Sequence, residues 1–185
     1  MTPVLETERL RLRGYVAGDH DPVAAMLGDP EVMRFIGGEP LNRENAWRRM
    51  LALPALWQLL GFGYWIVERK GDRAVIGQVG FADFKRDMTP SIEGIPEAGW
   101  QFSRQVHGQG YAAEAMQAAL AWADDALGGE FAAIIDHGNE PSIRLARRLG
   151  FSSAEEAVYR EAPILLFRRP GRSPAASSST SPATA

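Results

Sequence analysis

Apolar and polar positions alternate, or form short apolar runs, at several places along the chain and predict the strands of a sheet. Leu10 and Leu12 alternate with arginines, which is typical of a strand with one buried face. Two runs on either side of Gly71-Asp72 predict a hairpin. The predicted strands are Leu10 to Tyr15, Gly61 to Arg69, Ala74 to Asp83, Trp100 to Ser103, Phe131 to Ile135, and the last strands between Val158 and Arg169.

Helical patterns separate these strands. Pro22 suits an early helical position, Asn42 suits an N-cap, and Gly150 suits the C′ position that ends a helix. Pro54 should bend or split the third helix. The predicted helices are Asp21 to Leu27, Glu31 to Phe35, Asn42 to Leu60, Gly110 to Leu127, and Pro141 to Leu149. Helices mixed with a largely sequential meander predict an α/β or α+β fold with mixed strand pairing.

Composition narrows the class of protein. The chain has 185 residues, 45% of them hydrophobic, and a net charge of −3, which argues against a nucleic-acid partner. No apolar run approaches the roughly 18 residues that span a bilayer, and the N-terminus has no apolar signal core. We therefore expect no membrane partner and a cytoplasmic location. We also expect one folded domain, residues 1–170, and a disordered tail rich in Ser, Pro and Ala, residues 171–185.

Cysteine is absent and there are 3 histidines. The lack of thiols excludes a Cys nucleophile and thiolate metal sites. The histidines match no metal-ligand spacing, so we expect no metal.

A glycine loop between a strand and a helix is the strongest candidate for a binding site. The run Ala98 to Phe102 enters a loop with Gly108 and Gly110, and an Ala-rich helix follows at once. Free N–H groups and the helix dipole make such a turn an anion site, and glycine lets the backbone approach a phosphate. A P-loop is excluded because no Lys follows Gly110. A dinucleotide fingerprint is disfavoured because no acidic residue ends a following strand at the required distance.

The spacing Gln105-x-x-Gly108-x-Gly110 resembles the pyrophosphate loop of the GNAT acetyl-CoA-dependent N-acetyltransferases. Other segments resemble the ribosomal-protein N-terminal acetyltransferase (RimJ/RimL-type) branch, in the same order along the chain. They are LETERLRLRG near the start, DPEVMRFIGG at 29–38, VIGQVGF at 75–81, EAGWQFSRQVHGQGYAAEA at 97–115 and NEPSIRLARRLGF at 139–151. The resemblance implies a central, mostly antiparallel mixed sheet of six to seven strands, flanked by helices, with a splayed strand pair at the cofactor site.

The same resemblance implies where acetyl-CoA binds. Phe102, Ser103 and Arg104 would contact its pantetheine arm, and Asn139 and Ser142 would face that arm or the thiol end. The pyrophosphate would lie against the backbone of His107, Gly108, Gln109, Gly110, Tyr111 and Ala112. We expect His107 to contribute only its amide. Asn139 could equally be a helix cap, and both roles are compatible.

For catalysis, the resemblance implies acetyl transfer to a primary amine, either a protein N-terminus or a small molecule. With no Cys, direct attack in a ternary complex is expected. Glu97 is the candidate base, acting through water, and its alternative is a solvated charge at a strand edge. Ser142 could assist the departing thiolate, because Ala146 stands where many family members have a Tyr. A catalytically inactive acetyl-CoA-binding regulatory protein is the alternative function.

The acceptor is expected opposite CoA. Candidate wall residues are Phe35, Trp47, Trp65, Phe81, Asp83 and Trp100, although each aromatic could instead belong to the core. The acids Asp83, Glu93 and Glu97 would suit a cationic acceptor. Neither the acceptor, the acyl preference, nor the choice between monomer and homodimer follows from the sequence.

Overall fold

The computed structural model describes residues 1–171, and within them a sheet of nine strands forms the centre of the fold. Its order is β1-β2-β3-β4-β6-β7-β9-β8-β5. The strands are β1 (Leu5–Glu6), β2 (Leu10–Arg13), β3 (Tyr64–Arg69), β4 (Val75–Ala82), β5 (Met88–Thr89), β6 (Glu97–Phe102), β7 (Glu130–Ile135), β8 (Ser153–Tyr159) and β9 (Ala162–Pro170). The predicted six to seven strands are exceeded because β1 and β5 are two-residue pairings without a sequence pattern of their own.

The helices are α1 (His20–Leu27), α2 (Pro30–Met33), α3 (Arg43–Leu59), α4 (Tyr111–Ala126) and α5 (Glu140–Arg148). Asn42 caps α3 through its side chain, and Gly150 has the positive φ of 90° expected after α5. Of the predicted bend or split of α3 at Pro54, the split is wrong, since the helix runs continuously through it. Burial of Met50, Leu53 and Trp57 on both sides of Pro54 stabilises the turns that the missing N–H weakens.

Strands β6 and β7 separate from each other, and this separation positions the site. They are parallel and joined through α4, yet only Glu97 and Ala132 are in register. On their other sides, β6 pairs with β4 along its length and β7 pairs with β9 along its length. The two strands therefore diverge from Glu97 towards their ends at Phe102 and Ile135, and leave a gap in the sheet.

The core lies on both faces of the sheet. On one face α4 and α5 cover Trp65, Phe81 and Phe131, which are completely buried. On the other, α1, α2 and the first half of α3 cover Ile66. The gap between β6 and β7 is therefore flanked by helices on both faces of the sheet.

The tail predicted from residue 171 lies outside the described residues, apart from Gly171 itself. Within residues 1–171 no helix is long and apolar enough to cross a membrane. No group of three or more His, Cys, Asp or Glu in that part of the chain could hold a metal ion.

Candidate active site

The glycine loop follows β6 and enters α4 through two glycines with left-handed backbones. Gly108 has φ 75° and Gly110, the residue before α4, has φ 82°. Other L-residues adopt this region at a cost, so both positions require glycine. The turn directs the following amides towards the same side.

A series of backbone donors is left free by this turn. Within residues 1–171, no acceptor pairs with the N–H groups of residues 108–113, and helical bonding resumes only where the Glu114 amide donates to the Gly110 carbonyl at 3.1 Å. Consecutive amides at a helix N-terminus form a strong anion site. The loop can therefore hold a pyrophosphate without a lysine.

The loop is held in place by the turn between β1 and β2. The carboxylate of Glu114 accepts hydrogen bonds from the Thr7 hydroxyl at 2.6 Å and from the amide and guanidinium of Arg9 at 2.9 and 2.6 Å. Arg9 also donates to the Gln109 carbonyl and lies 4.3 Å from the centre of the Tyr111 ring. Burial opposes ionisation of Glu114, but these hydrogen bonds together lower its pKa. The first turn of α4 thus carries a satisfied acid and an adjacent cation.

The end of β6 presents backbone groups to the gap. The Ser103 amide donates to the Ile76 carbonyl of β4 at 2.9 Å, so by alternation the groups of Trp100 and Phe102 point towards β7. His107 also contacts this strand end, because its imidazole Nε2 lies 2.9 Å from the Phe102 carbonyl. The Trp100 amide and carbonyl and the Phe102 amide consequently line the open gap.

Residues Ser103, Arg104 and Gln105 line one side of a groove of about 560 Å³, and α1 lines the other. The predicted pantetheine contacts at Ser103 and Arg104 thus lie at an accessible entrance next to the glycine loop. Arg104 and Gln105 are both exposed.

Helix α5 begins across the gap from β6. The Asn139 side chain accepts a hydrogen bond from the Ser142 amide at 3.2 Å, which confirms the capping role. The Trp100 indole donates to the Ser142 hydroxyl at 3.1 Å and so connects the two sides of the gap. Ala146 is completely buried and leaves no functional group at its position.

Glu97 lies at the narrow end of the gap in an ion pair with Arg86. Arg86 donates to both carboxylate oxygens, at 2.5 and 2.7 Å, and the Glu97 side chain is only 6% exposed. Glu97 is therefore a buried, paired carboxylate and not the solvated strand-edge charge of the alternative reading. Burial opposes ionisation of Arg86, but the hydrogen bond and charge of Glu97, together with Tyr159, raise its pKa.

On the same face of β6, Tyr64 reaches the centre of the strand. Tyr64, Gly80 and Gly99 are in register across β3, β4 and β6. A Cβ at Gly99 would lie 2.0 Å from the Tyr64 hydroxyl, so the phenol extends across the two glycines. Within residues 1–171 this hydroxyl has no hydrogen-bond partner, although the residue is 6% exposed. Burial, followed by the charge of Glu97, raises the pKa of Tyr64 well above 10.0, and the group keeps its proton.

A second tyrosine lies beside the first. The Tyr15 hydroxyl donates to the Gln78 amide oxygen at 2.9 Å, and Gln78 donates to Gln101 at 2.6 Å. These hydrogen bonds connect Tyr15, which packs in the same cluster as Tyr64, to Gln101 on β6.

The predicted acceptor wall is not brought together as a unit. Trp65 and Phe81 are 0% exposed and pack towards α4, on the face opposite Tyr64 and Glu97, which favours a core role for both. Trp47 packs against His20 at 4.9 Å, beside a surface groove between α1 and α3.

The remaining predicted wall residues border the gap or its surroundings. Phe35 lies against Gly138 in the loop before α5, 3.3 Å from where a Cβ would stand, and Trp100 spans the gap itself. Asp83 binds Lys85 at 2.7 Å and the Gly94 amide at 3.1 Å, and so shapes the loop that follows β4. Burial opposes ionisation of Asp83, but these contacts lower its pKa.

Sequence reasoning missed Tyr64, Arg86 and Arg9. Each acts across strands or loops that are distant in sequence, so no local spacing marks it. The glycines facing Tyr64 are a usable signal, because Gly80 and Gly99 interrupt strand patterns where a close approach is expected.

Comparison with known proteins identifies what this arrangement is similar to. The acetyltransferase (GNAT) domain family matches residues 9–152. The uncharacterized N-acetyltransferase YoaA of Bacillus subtilis (strain 168) is 31% identical over 166 residues, covering 87% of this chain and 88% of YoaA. A solved structure described as a GnaT-family acetyltransferase from Bordetella pertussis is 32% identical, with a TM-score of 0.78, over 90% of this chain and 99% of that one.

A ribosomal-protein enzyme shares the fold at much lower identity. RimL, the ribosomal L7/L12 alpha-N-protein acetyltransferase solved with coenzyme A, has a TM-score of 0.70 over 91% of this chain and 98% of its own. It is 13% identical to this chain, so it supports the fold alone.

Proposed function

Because the chain belongs to the GNAT acetyltransferase family and is an acyltransferase, we propose that it transfers an acetyl group from acetyl-CoA to a primary amine, by direct attack in a ternary complex. The observation that carries this proposal is the set of unpaired amides at 108–113, next to the open end of β6 and β7. The acceptor is a small-molecule amine or a protein N-terminus.

The residues present fit the cofactor. The left-handed Gly108 and Gly110 and the free amides that follow would hold the pyrophosphate, and Arg9 adds a positive charge beside them. The backbone of Trp100 and Phe102 would pair with the pantetheine arm in the gap, with Asn139 and Ser142 on its other side. Acetyl-CoA supplies an activated thioester when bound.

The face of β6 that carries Glu97 and Gly99 would receive the amine. Tyr64 keeps its proton there and can donate a hydrogen bond near Gly99. Glu97 can accept a proton through water only on the lone pairs that Arg86 leaves free. On the opposite side of the gap, the Ser142 hydroxyl, oriented by the Trp100 indole, can donate to a leaving thiolate.

The test is release of free CoA from acetyl-CoA with a panel of amines: peptides with free N-termini, amino acids, polyamines and aminoglycosides. We expect turnover with at least one class. Gly110→Val should weaken CoA binding in calorimetry, because a β-branched residue cannot adopt φ 82° without strain. Gly37→Val is the matched control, since Gly37 also has positive φ but lies in the loop after α2. CoA binding without turnover on the whole panel would instead favour the inactive regulatory alternative.

A further inference from the structure

Each of the acids near the acceptor face is already paired with a cation of the protein. Lys85 bridges Asp83 at 2.7 Å and Glu93 at 3.1 Å, and Arg86 occupies both oxygens of Glu97. A cationic acceptor would have to compete with these internal cations. These internal ion pairs therefore argue against the cationic acceptor that the acids suggest in the sequence.

Arg49 on α3, in contrast to these paired acids, is a charged group without a partner in the part of the chain that the structure describes. It is half-buried, next to the buried positions Met50 and Leu53, and within residues 1–171 it makes no hydrogen bond or ion pair. The other half-buried arginines of those residues each contact a carboxylate: Arg11, Arg13, Arg69, Arg86, Arg168 and Arg169. A partly buried guanidinium without a counter-charge is costly, so an external anion is the missing partner.

The helix face that carries Arg49 packs against the two tyrosines. Leu53, one turn further along α3, lies in a cluster with Tyr64 and Tyr15, and both tyrosines act electrostatically on Arg49. Tyr64 reaches Gly99 in the middle of β6, and Tyr15 is linked to Gln101 through Gln78. Arg49 therefore lies on the side of the sheet where the proposed amine would approach.

Burial lowers the pKa of Arg49, the two tyrosines act in the opposite direction, and Arg86 lowers it further. An anion bound beside Arg49 would offset both unfavourable contributions. The planar guanidinium fork matches a carboxylate.

We propose that Arg49 binds the carboxylate of a small amino-carboxylate acceptor, so that the amine of the same molecule lies near Tyr64 and Gly99. This assignment rests on the proposed N-acetyltransferase function and names its substrate class. A protein N-terminus carries no carboxylate beside its amine, and polyamines and aminoglycosides carry none at all, so these acceptors would leave Arg49 unpaired.

The test compares amino acids with their amides, which differ only in the carboxylate. For the wild-type protein we expect kcat/KM to favour the acid. From the usual strength of hydrogen bonds to charged groups, we expect Arg49→Gln to lower kcat/KM for the acid by about 10- to 100-fold, mainly by raising KM. The kcat/KM for the amide should stay nearly unchanged. Arg48→Gln is the matched control, since it removes the same charge from the exposed side of α3, where Arg48 pairs with Glu44. Arg49→Lys should recover part of the preference.

A binding arm separates this proposal from the proposed function. Calorimetry with CoA present would compare N-acetylated amino acids with N-acetylated amides, which requires no turnover. Tighter binding of the acid, lost in Arg49→Gln and kept in Arg48→Gln, would support the assignment even if no amine were acetylated. Equal use or binding of acids and amides by the wild type, a better result with polyamines or N-terminal peptides, or parallel losses for acid and amide in Arg49→Gln would each overturn it.

Discussion

The ion pair between Glu97 and Arg86 yields the sharpest prediction about the mechanism. Glu97→Gln keeps the shape of the side chain and removes its charge, which leaves the Arg86 guanidinium facing an amide. Breaking a buried pair costs about 3–5 kcal/mol. Arg86 is 20% exposed and retains ring contacts with Phe84 and Tyr159 at 5.0 and 4.8 Å, so we expect a cost at or below the lower end of that range, about 2–3 kcal/mol. For a domain of this size the unfolding midpoint should fall by about 5–10 °C.

Activity separates two roles for the carboxylate. If Glu97 takes a proton from the amine, Glu97→Gln should lower kcat by about 10²–10⁴-fold while CoA affinity changes little. Arg86→Met would then keep much more activity, because the carboxylate is still present. If Glu97 serves only to hold Arg86 and the loop that follows β4, the two variants should lose activity equally.

The assay is steady-state CoA release at a temperature well below the unfolding midpoint of every variant, together with urea unfolding and CoA calorimetry. The double variant Arg86→Met/Glu97→Gln removes both charges and should recover part of the stability lost in either single variant. Unchanged turnover in Glu97→Gln would remove this residue from the chemistry. An unfolding free energy equal to that of the wild type would refute the energetic account of the pair.

Three further changes test other parts of the site. Gly99→Ala places a methyl 2.0 Å from the Tyr64 hydroxyl, so it should cost about 1–3 kcal/mol of stability, and adding Tyr64→Phe should restore part of that loss in urea unfolding. Glu114→Gln weakens the hydrogen bonds from the turn between β1 and β2 and should cost about 1 kcal/mol at pH 7. The folded pKa of Glu114 lies below its ordinary 4.5, so the contribution is present above that pH and should disappear as pH falls through the folded value; a difference between variant and wild type that persists in acid would contradict this. Ser142→Ala should leave CoA affinity close to wild type and lower kcat, whereas equal kcat would exclude help to the thiolate.

Local pattern was sufficient for much of the fold. Helix α4 was expected at Gly110 to Leu127 and occupies Tyr111–Ala126, and the predicted hairpin partner Ala74 to Asp83 became β4, Val75–Ala82. These elements have clear periodicity and glycine boundaries, which depend only on neighbouring residues. The continuity of α3 through Pro54 depends on burial against distant parts of the fold, so propensity alone does not exclude a split there.

The candidate site likewise has parts that local sequence predicts and parts that depend on distant contacts. The loop with Gly108 and Gly110 is predictable because its positive φ angles require glycine, and the two glycines have a recognisable spacing in the sequence. The partner of Glu97 was not, because Arg86 lies in an irregular segment and meets Glu97 only after β4 and β6 pair. Arg49 was equally hidden, since a lone arginine in a polar helix is ordinarily solvated.

In the proposed reaction, the short strand β6 would serve both substrates. Its backbone groups at Trp100 and Phe102 face the gap, while side chains alternate between the two faces of the sheet. On the acceptor face the alternation gives Glu97, Gly99 and Gln101, and both polar side chains are occupied by partners in the protein. Gly99 has no side chain there, and the Tyr64 phenol fills the space above it. In the proposed reaction the amine would therefore approach beside the Tyr64 hydroxyl, and any side chain larger than hydrogen at position 99 would displace the phenol.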